Sequence, residues 1–322
     1  MKTRTLGGSG VEVSVVAMGC DYVLKTWNEE DKRNAIAAVN AALDVGINLF
    51  DTAEQYGKGV SEEVLGEALA GRRGKAVIAT KVAGKNLAPA DLRAACEKSL
   101  ARLKTDRIDL YQLHWPNPKI PVADTVAALE ALKKEGKIRA WGVCNFSAPE
   151  LAGLPGAACA SNQISYSLLF RAPEFGLREA CRAKGAGIIC YSPMFQGILT
   201  GKYKSADEVP LHKANTRHFS SKRPGVPHKG PGCEAETFAA VERVKKIAEK
   251  VGRPMGEVSL AWVLAQPGVS SVLAGARTAA QVRENVKGAD IVLAPAILAD
   301  LAAATEDVKR ILGPNLHMWV DG

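Results

Sequence analysis

Asp51 ends the apolar run INLFD, and Tyr56 follows five residues later in FDTAEQYG. Lys81 closes AVIATK and His114 closes RIDLYQLH in the same way. An aspartate placed like Asp51 more often caps the helix that follows, and a lone histidine is more often a satisfied core residue. A lysine ending an apolar strand, however, is costly to bury without a partner, and an Asp51–Lys81 ion pair resolves both burials. Three successive runs then deliver Asp, Lys and His to one rim. The phenol of Tyr56, with an unperturbed pKa of about 10, stays protonated at neutral pH and can donate, and a nearby Lys81 cation is expected to lower that value. His114 would orient a carbonyl by hydrogen bonding while Tyr56 protonates its oxygen as hydride reaches the carbon, with Asp51 holding Lys81 charged.

Such residues need rigid elements beneath them. Eight short apolar runs read as strands: VSVVAMG ending at Gly19, INLFD at Asp51, AVIATK at Lys81, RIDLYQLH at His114, IRAWGV at Val143, CASNQ at Gln163, GIICY at Tyr191 and SSVLAG at Gly275. Their near-continuous hydrophobicity predicts parallel strands covered on both faces. Helical patterns lie between them. Ile36, Val39 and Leu43 form one stripe stopped at Gly46, and Val122, Val126 and Leu129 form another stopped at Gly136. Alternating strands and helices close into a barrel or open into a doubly wound sheet. No GxGxxG follows the first strand, which argues against a Rossmann domain, and the unusual polar residues fall at strand C-termini, where barrel enzymes place their chemistry. The expectation is an α/β chain forming one domain over residues 1–322: a (β/α)8 TIM barrel with an N-terminal β-hairpin turned by GGSG at Gly7 to Gly10, plugging the barrel bottom, and an extra C-terminal helix.

Composition narrows the class. The 322 residues are 47% hydrophobic and 24% charged, enough apolar material for a large core. No signal-like apolar segment opens the chain, and no run of about 18 uncharged apolar residues occurs, so a cytoplasmic protein without membrane partners is expected. None of the seven cysteines forms a CxxC pair, which favours buried free thiols. The net charge of +8 is concentrated between Lys202 and Lys229, where seven Lys or Arg face Asp207 and Glu208. Without interleaved aromatics or a DNA-binding module, a nucleotide is a more economical partner than nucleic acid. The stretch from Lys202 to Gly232 lacks periodicity and reads either as a lid closing over a pyrophosphate or as a disordered basic linker.

FDTAEQYG, ATK, LHWP, GVCNF, YSP and GARTAAQVREN, in this order, resemble the motifs of the aldo-keto reductase superfamily over nearly the whole chain. The resemblance implies a (β/α)8 barrel, NADPH and no metal. It makes Tyr56 the proton donor, with Asp51, Lys81 and His114 tuning and orienting. Ser161, Asn162 and Gln163 would bind the nicotinamide carboxamide, Tyr191 would stack on its ring, and Ser192, Met194, Gln196 and Gly197 would follow the pyrophosphate, with Lys202 opening the basic loop. Gly275, Ala276, Arg277 and Thr278 would meet a phosphate at a helix start, and Gln281 and Asn285 would reach adenine. Arg277 offers a fork for the adenosine 2′-phosphate, which favours NADPH over NADH. Tyr22, Trp27, Trp115 and Asn145 would join Tyr56 and His114 around a small carbonyl substrate, with sugars and other hydroxylated compounds considered. Gly19-Cys20-Asp21 departs from the family's frequent Gly-Thr-aromatic step, so no role carries over to Asp21. GINLFDTAEQYG also resembles potassium-channel β subunits of this fold, which keeps a cofactor-sensing regulatory subunit as the alternative. An alcohol dehydrogenase on a Rossmann sheet lacks its glycine fingerprint here. Direction of reaction and oligomeric state are not encoded in these motifs.

Overall fold

A computed structural model of the chain describes residues 1–21, 27–156 and 159–321. It opens with an antiparallel hairpin of β1 (Thr3–Thr5) and β2 (Glu12–Ser14), in which Thr3 faces Ser14 and Thr5 faces Glu12. Gly7 and Gly10 turn it with φ of 51° and 71°, which glycine adopts without a Cβ penalty. Leu6, Val11 and Val13 are buried together with Ala79, Leu110 and Ile189 of the barrel interior. The turn sits against the start of the seventh barrel strand, where Gly8 N donates to Gly185 O at 2.9 Å. The hairpin therefore closes the N-terminal end of the barrel, as GGSG suggests.

Eight parallel strands follow: β3 (Val16–Gly19), β4 (Leu49–Asp51), β5 (Val77–Val82), β6 (Ile108–Leu113), β7 (Ile138–Cys144), β8 (Cys159–Ser165), β9 (Gly187–Tyr191) and β10 (Val269–Gly275). They pair in sequence order, and β10 pairs with β3 to close the barrel. At the closing seam Gly275 lies beside Gly19, and Gly19 in turn lies beside Asp51. Lys81 is in register with Gln112, and Cys144 with Gln163. The β7–β8 register shifts between Trp141 and Val143, so side-chain alternation along β8 is broken near Ser161.

The intervening helices are α1 (Glu29–Asp44), α2 (Val60–Ala68), α3 (Pro89–Leu103), α4 (Val122–Lys134), α5 (Ala148–Ala152), α6 (Leu177–Ala183), α7 (Glu234–Val251), α8 (Met255–Leu264) and α9 (Ala279–Asn285). Helix α1 starts in a capping box: the Asn28 side chain accepts from Glu30 N and Asp31 N, and Asp31 accepts from Asn28 N. Its stripe buries Val39 and packs Ile36 and Leu43 against the core. The C-terminal extension is two short helices rather than one, α10 (Pro295–Ala303) and α11 (Glu306–Leu312). No helix among the described residues is long and apolar enough to cross a membrane.

Residues 202–232 are ordered, although no sequence period announces it. Ala214, His218 and Phe219 are buried. The Arg217 guanidinium donates to the carbonyls of Leu312, Asn315 and His317 at 2.8–2.9 Å, and its backbone N to Met318 O at 2.7 Å. One basic side chain thus ties the segment to the C-terminal tail, which rules out the disordered-linker reading. Bonds that span about a hundred residues leave no local pattern to read.

Candidate active site

At the C-terminal end of the strands, Lys81 Nζ lies 2.5 Å from Asp51 Oδ1, 2.8 Å from Thr52 O and 3.2 Å from Tyr56 Oη. An ammonium has three protons, and all three have acceptors. Asp51 Oδ2 in turn accepts from Gln163 Nε2 at 2.7 Å and Gln112 Nε2 at 3.2 Å. The ion pair is 0% and 2% exposed, a burial that is tolerable only because its remaining hydrogen-bonding capacity is filled from β6 and β8. Asp51 is not a helix cap: the chain continues into a short 3-10 turn, Tyr56–Gly59, and Gly59 precedes α2. That turn returns the Tyr56 ring beneath Lys81, with Nζ 4.7 Å from the ring centroid.

The rings of Tyr56 and His114 meet edge to face, centroids 5.8 Å apart at 81°. His114 Nδ1 is buried with no partner among the described residues, leaving Nε2 as the nitrogen through which the ring can meet a ligand. Burial, reinforced by the Lys81 cation, pulls the His114 pKa down to about 3, so the ring is neutral at physiological pH. Tyr56 departs from the sequence expectation. Lys81 does pull its pKa down, but burial pushes harder and Asp51 adds to it, and the net result is up to about 12. Lys81 itself is raised despite burial, because Asp51 and Tyr56 hold the charged form. The phenol is thus a neutral donor resting on a fixed cation.

Two clefts meet at this rim. One, of about 290 Å³, is lined by Asp51, Tyr56, His114, Trp115, Asn145 and Gln163, and also by Tyr191 and Trp319. The other, of about 620 Å³, carries Ser192, Met194, Gln196, Gly197 and Lys202 from the loop after β9. From the loop and helix after β10 it adds Gly275, Ala276, Arg277, Gln281 and Asn285. They share Gly19, Asp21, Ser192, Leu273 and Gly275. The side-chain-free pair Gly19–Gly275 forms an open ledge between them. Ser192, Phe195 and Gln196 hold φ of 53°, 44° and 53°, a run of left-handed non-glycine residues of the kind that concentrates at binding sites.

Several expected contacts lie elsewhere. Asn162 faces outward, its Nδ2 donating to Phe146 O at 2.8 Å. Ser161 is fully buried, and its Oγ would lie 2.2 Å from a Cβ on Gly142. The bulge near Ser161 leaves only Gln163 of SNQ in the pocket, with Oε1 unpartnered among the described residues. Asn145, with φ of 62°, lines the pocket instead; its Oδ1 accepts from Tyr191 Oη at 2.9 Å and its Nδ2 donates to His114 O at 3.2 Å. Thr278 is the N-cap of α9, accepting from Gln281 N, and lines neither cleft; Gln281 Oε1 accepts from Arg277 N. Those two amides are thus already satisfied, and α9 is a short helix, so attraction for an anion rests on the side chains of Lys202, Lys213 and Arg277. Trp27 lies at a separate groove with Lys32, Val60 and Glu67, and Tyr22 falls outside the described residues.

Sequence reasoning missed Trp319, whose ring is nearly parallel to Tyr191 with centroids 6.3 Å apart. Next to it His317 stacks on Trp115 at 4.7 Å. Both belong to the tail that Arg217 holds, and an isolated tryptophan in a tail gives no spacing signal. His212 and Lys213 of the second cleft were foreshadowed only by the net charge of their segment.

The Aldo/keto reductase family pattern matches residues 16–306. Methylglyoxal reductase YeaE of Escherichia coli is 33% identical over 94% of this chain and 95% of its own. An NADH-specific methylglyoxal reductase of the same organism is 32% identical over 95% of this chain and 100% of its own. A probable voltage-gated potassium channel subunit beta of Arabidopsis thaliana is 28% identical over 92% and 94%. Among solved structures, an aldo-keto reductase of Klebsiella pneumoniae in complex with NADPH superimposes with a TM-score of 0.75 at 29% identity, covering 94% of this chain and 95% of the other.

Proposed function

The chain belongs to the aldo-keto reductase family, and from that premise we propose that it reduces a small aldehyde or ketone with a nicotinamide dinucleotide, NADPH in preference to NADH. One observation carries the reading: the buried Lys81 spends its three protons on Asp51, Thr52 and Tyr56 at the floor of a pocket that His114 also lines. The two clefts suit such a cofactor. Gln163 Oε1 and Asn145 would hold the carboxamide beside Tyr191, the Gly19–Gly275 ledge would pass the chain across, and Lys202, Lys213 and Arg277 would meet its phosphates. When bound, a reduced nicotinamide supplies hydride to the carbonyl carbon. Neutral His114 hydrogen-bonds and orients the carbonyl, and Tyr56 gives its proton to the oxygen. Lys81 faces the resulting phenolate and stabilises it, while Asp51 keeps Lys81 charged.

The test is NADPH oxidation followed with a panel of small neutral aldehydes and ketones. Tyr56→Phe keeps the ring and removes the donor, so turnover is expected to fall by about 10²–10⁴-fold with cofactor affinity retained. Likeness to a potassium channel subunit favours one second reading, a cofactor-sensing regulatory subunit. Tight NADPH binding without turnover of any carbonyl in the panel would favour it; turnover abolished by Tyr56→Phe decides for the reductase.

A further inference from the structure

The charge inventory of the carbonyl pocket is lopsided. Among the described residues its titratable lining groups are Cys20, Asp21, Asp51, Tyr56, His114 and Tyr191. Asp51 is neutralised by Lys81 at 2.5 Å. Burial holds Tyr56, Tyr191 and the Cys20 thiol in their protonated, uncharged forms, and keeps the His114 ring unprotonated. Asp21 remains. It stands where the two clefts join, and among the described residues no hydrogen bond or ion pair holds its carboxylate. Partial burial raises its pKa, and among the described residues the cations whose fields oppose that rise are Lys81 and Arg277. Lys81 has no proton to spare, and Arg277 faces the neighbouring cleft.

We propose that Asp21 sets the charge specificity of the carbonyl pocket, selecting substrates that carry a cationic group and turning away those that carry a carboxylate or phosphate. The aromatic side chains of Trp115 and Trp319 line the same pocket, and an aromatic ring favours a cation over an anion in the same sense. An exposed carboxylate that no described protein donor holds can meet a cationic ligand directly and faces a like charge in an anionic one. The assignment rests on the reading of this pocket as the carbonyl site.

Three benzaldehydes para-substituted with carboxylate, nitro and trimethylammonio groups provide a charge series on one scaffold. With NADPH saturating, kcat/KM of the native enzyme is expected to rank cation above neutral above anion. In Asp21→Asn the cation-to-anion ratio should fall by about ten-fold, the effect expected of one water-screened charge a few ångströms away acting on both ligands. The readout is a ratio within each enzyme, so a general loss of turnover in the variant cancels. Quenching of Trp115 and Trp319 fluorescence by the same compounds reads the ranking from binding alone. Should none of them be turned over, the reductase reading is decided by the aldehyde and ketone panel, while the binding ranking still supports or overturns the role of Asp21. The proposal is overturned if the native protein prefers the carboxylate, or if Asp21→Asn leaves the ratio unchanged. It is equally overturned if the variant weakens NADPH binding and lowers all three aldehydes in step, which would place Asp21 on the cofactor.

Discussion

Burying Lys81 against a hydroxyl is what would make Tyr56 a usable acid in the proposed reaction. An isolated buried ammonium would shed its proton, since burial lowers a lysine pKa, but Asp51 and the Thr52 carbonyl keep it charged. The phenol is in turn held neutral by its own burial. The cation would therefore exert its main effect once the proton has left, when a phenolate faces it, rather than by ionising the tyrosine beforehand. The same residue-level logic applies to the second cleft, where α9 offers few free amides and Arg277 is a chief source of positive charge. Arg277→Ala is expected to raise the NADPH KM by about ten-fold or more, with little change for NADH, in line with loss of a charge-assisted bidentate contact. An unchanged preference between the two cofactors would remove the 2′-phosphate from Arg277.

At the scale of elements, the hairpin and the strand ends work at opposite faces. The turn of β1 and β2 packs so tightly under the barrel that a Cβ on Gly7 would lie 2.4 Å from Gly185 O and 2.5 Å from Ala160 O, with φ at 51°. Gly7→Ala is therefore expected to cost about 2–4 kcal/mol, combining overpacking with a left-handed backbone. Urea unfolding would read this as a lower midpoint at constant slope. The strand C-termini sit at the other end of the barrel, so turnover measured well below the new midpoint should be retained. The β8 bulge shows the converse: a one-residue shift in a strand pair sends Ser161 and Asn162 away from the pocket and leaves Gln163 in it.

Across the whole molecule, burial of neutral histidines couples stability to pH. His114 and His218 are both lowered from 6.5 to about 3, chiefly by burial. His218 is fully buried and its Nε2 lies 2.7 Å from Leu169 O, within the packed basic segment. Below 6.5 the unfolded chain takes up protons that the folded chain refuses. The contribution of each ring is therefore complete above 6.5 and is lost as pH falls toward 3. The slope is about 1.4 kcal/mol per pH unit for each histidine. Urea midpoints measured between pH 7 and 5 should fall accordingly. The ion-paired Glu174, lowered from 4.5 to about 2, adds to the same loss only at more acid pH. A flat stability profile between pH 7 and 5 would contradict the burial of both rings.

The sequence by itself determined the eight strands, the hairpin and the meeting of Asp51, Tyr56, Lys81 and His114. Each of these rests on a local rule: an apolar run bounded by glycine, or a charge at a strand end that must find a partner. Only the tertiary structure decided which of Ser161, Asn162 and Gln163 enters the pocket, because one bulge overrides the two-residue alternation. It placed Trp27 at another groove and Trp319 over Tyr191, and it ordered residues 202–232 through Arg217, since contacts between segments a hundred residues apart carry no period. It also brought Arg277, 256 residues away along the chain, close enough to Asp21 for its charge to act there.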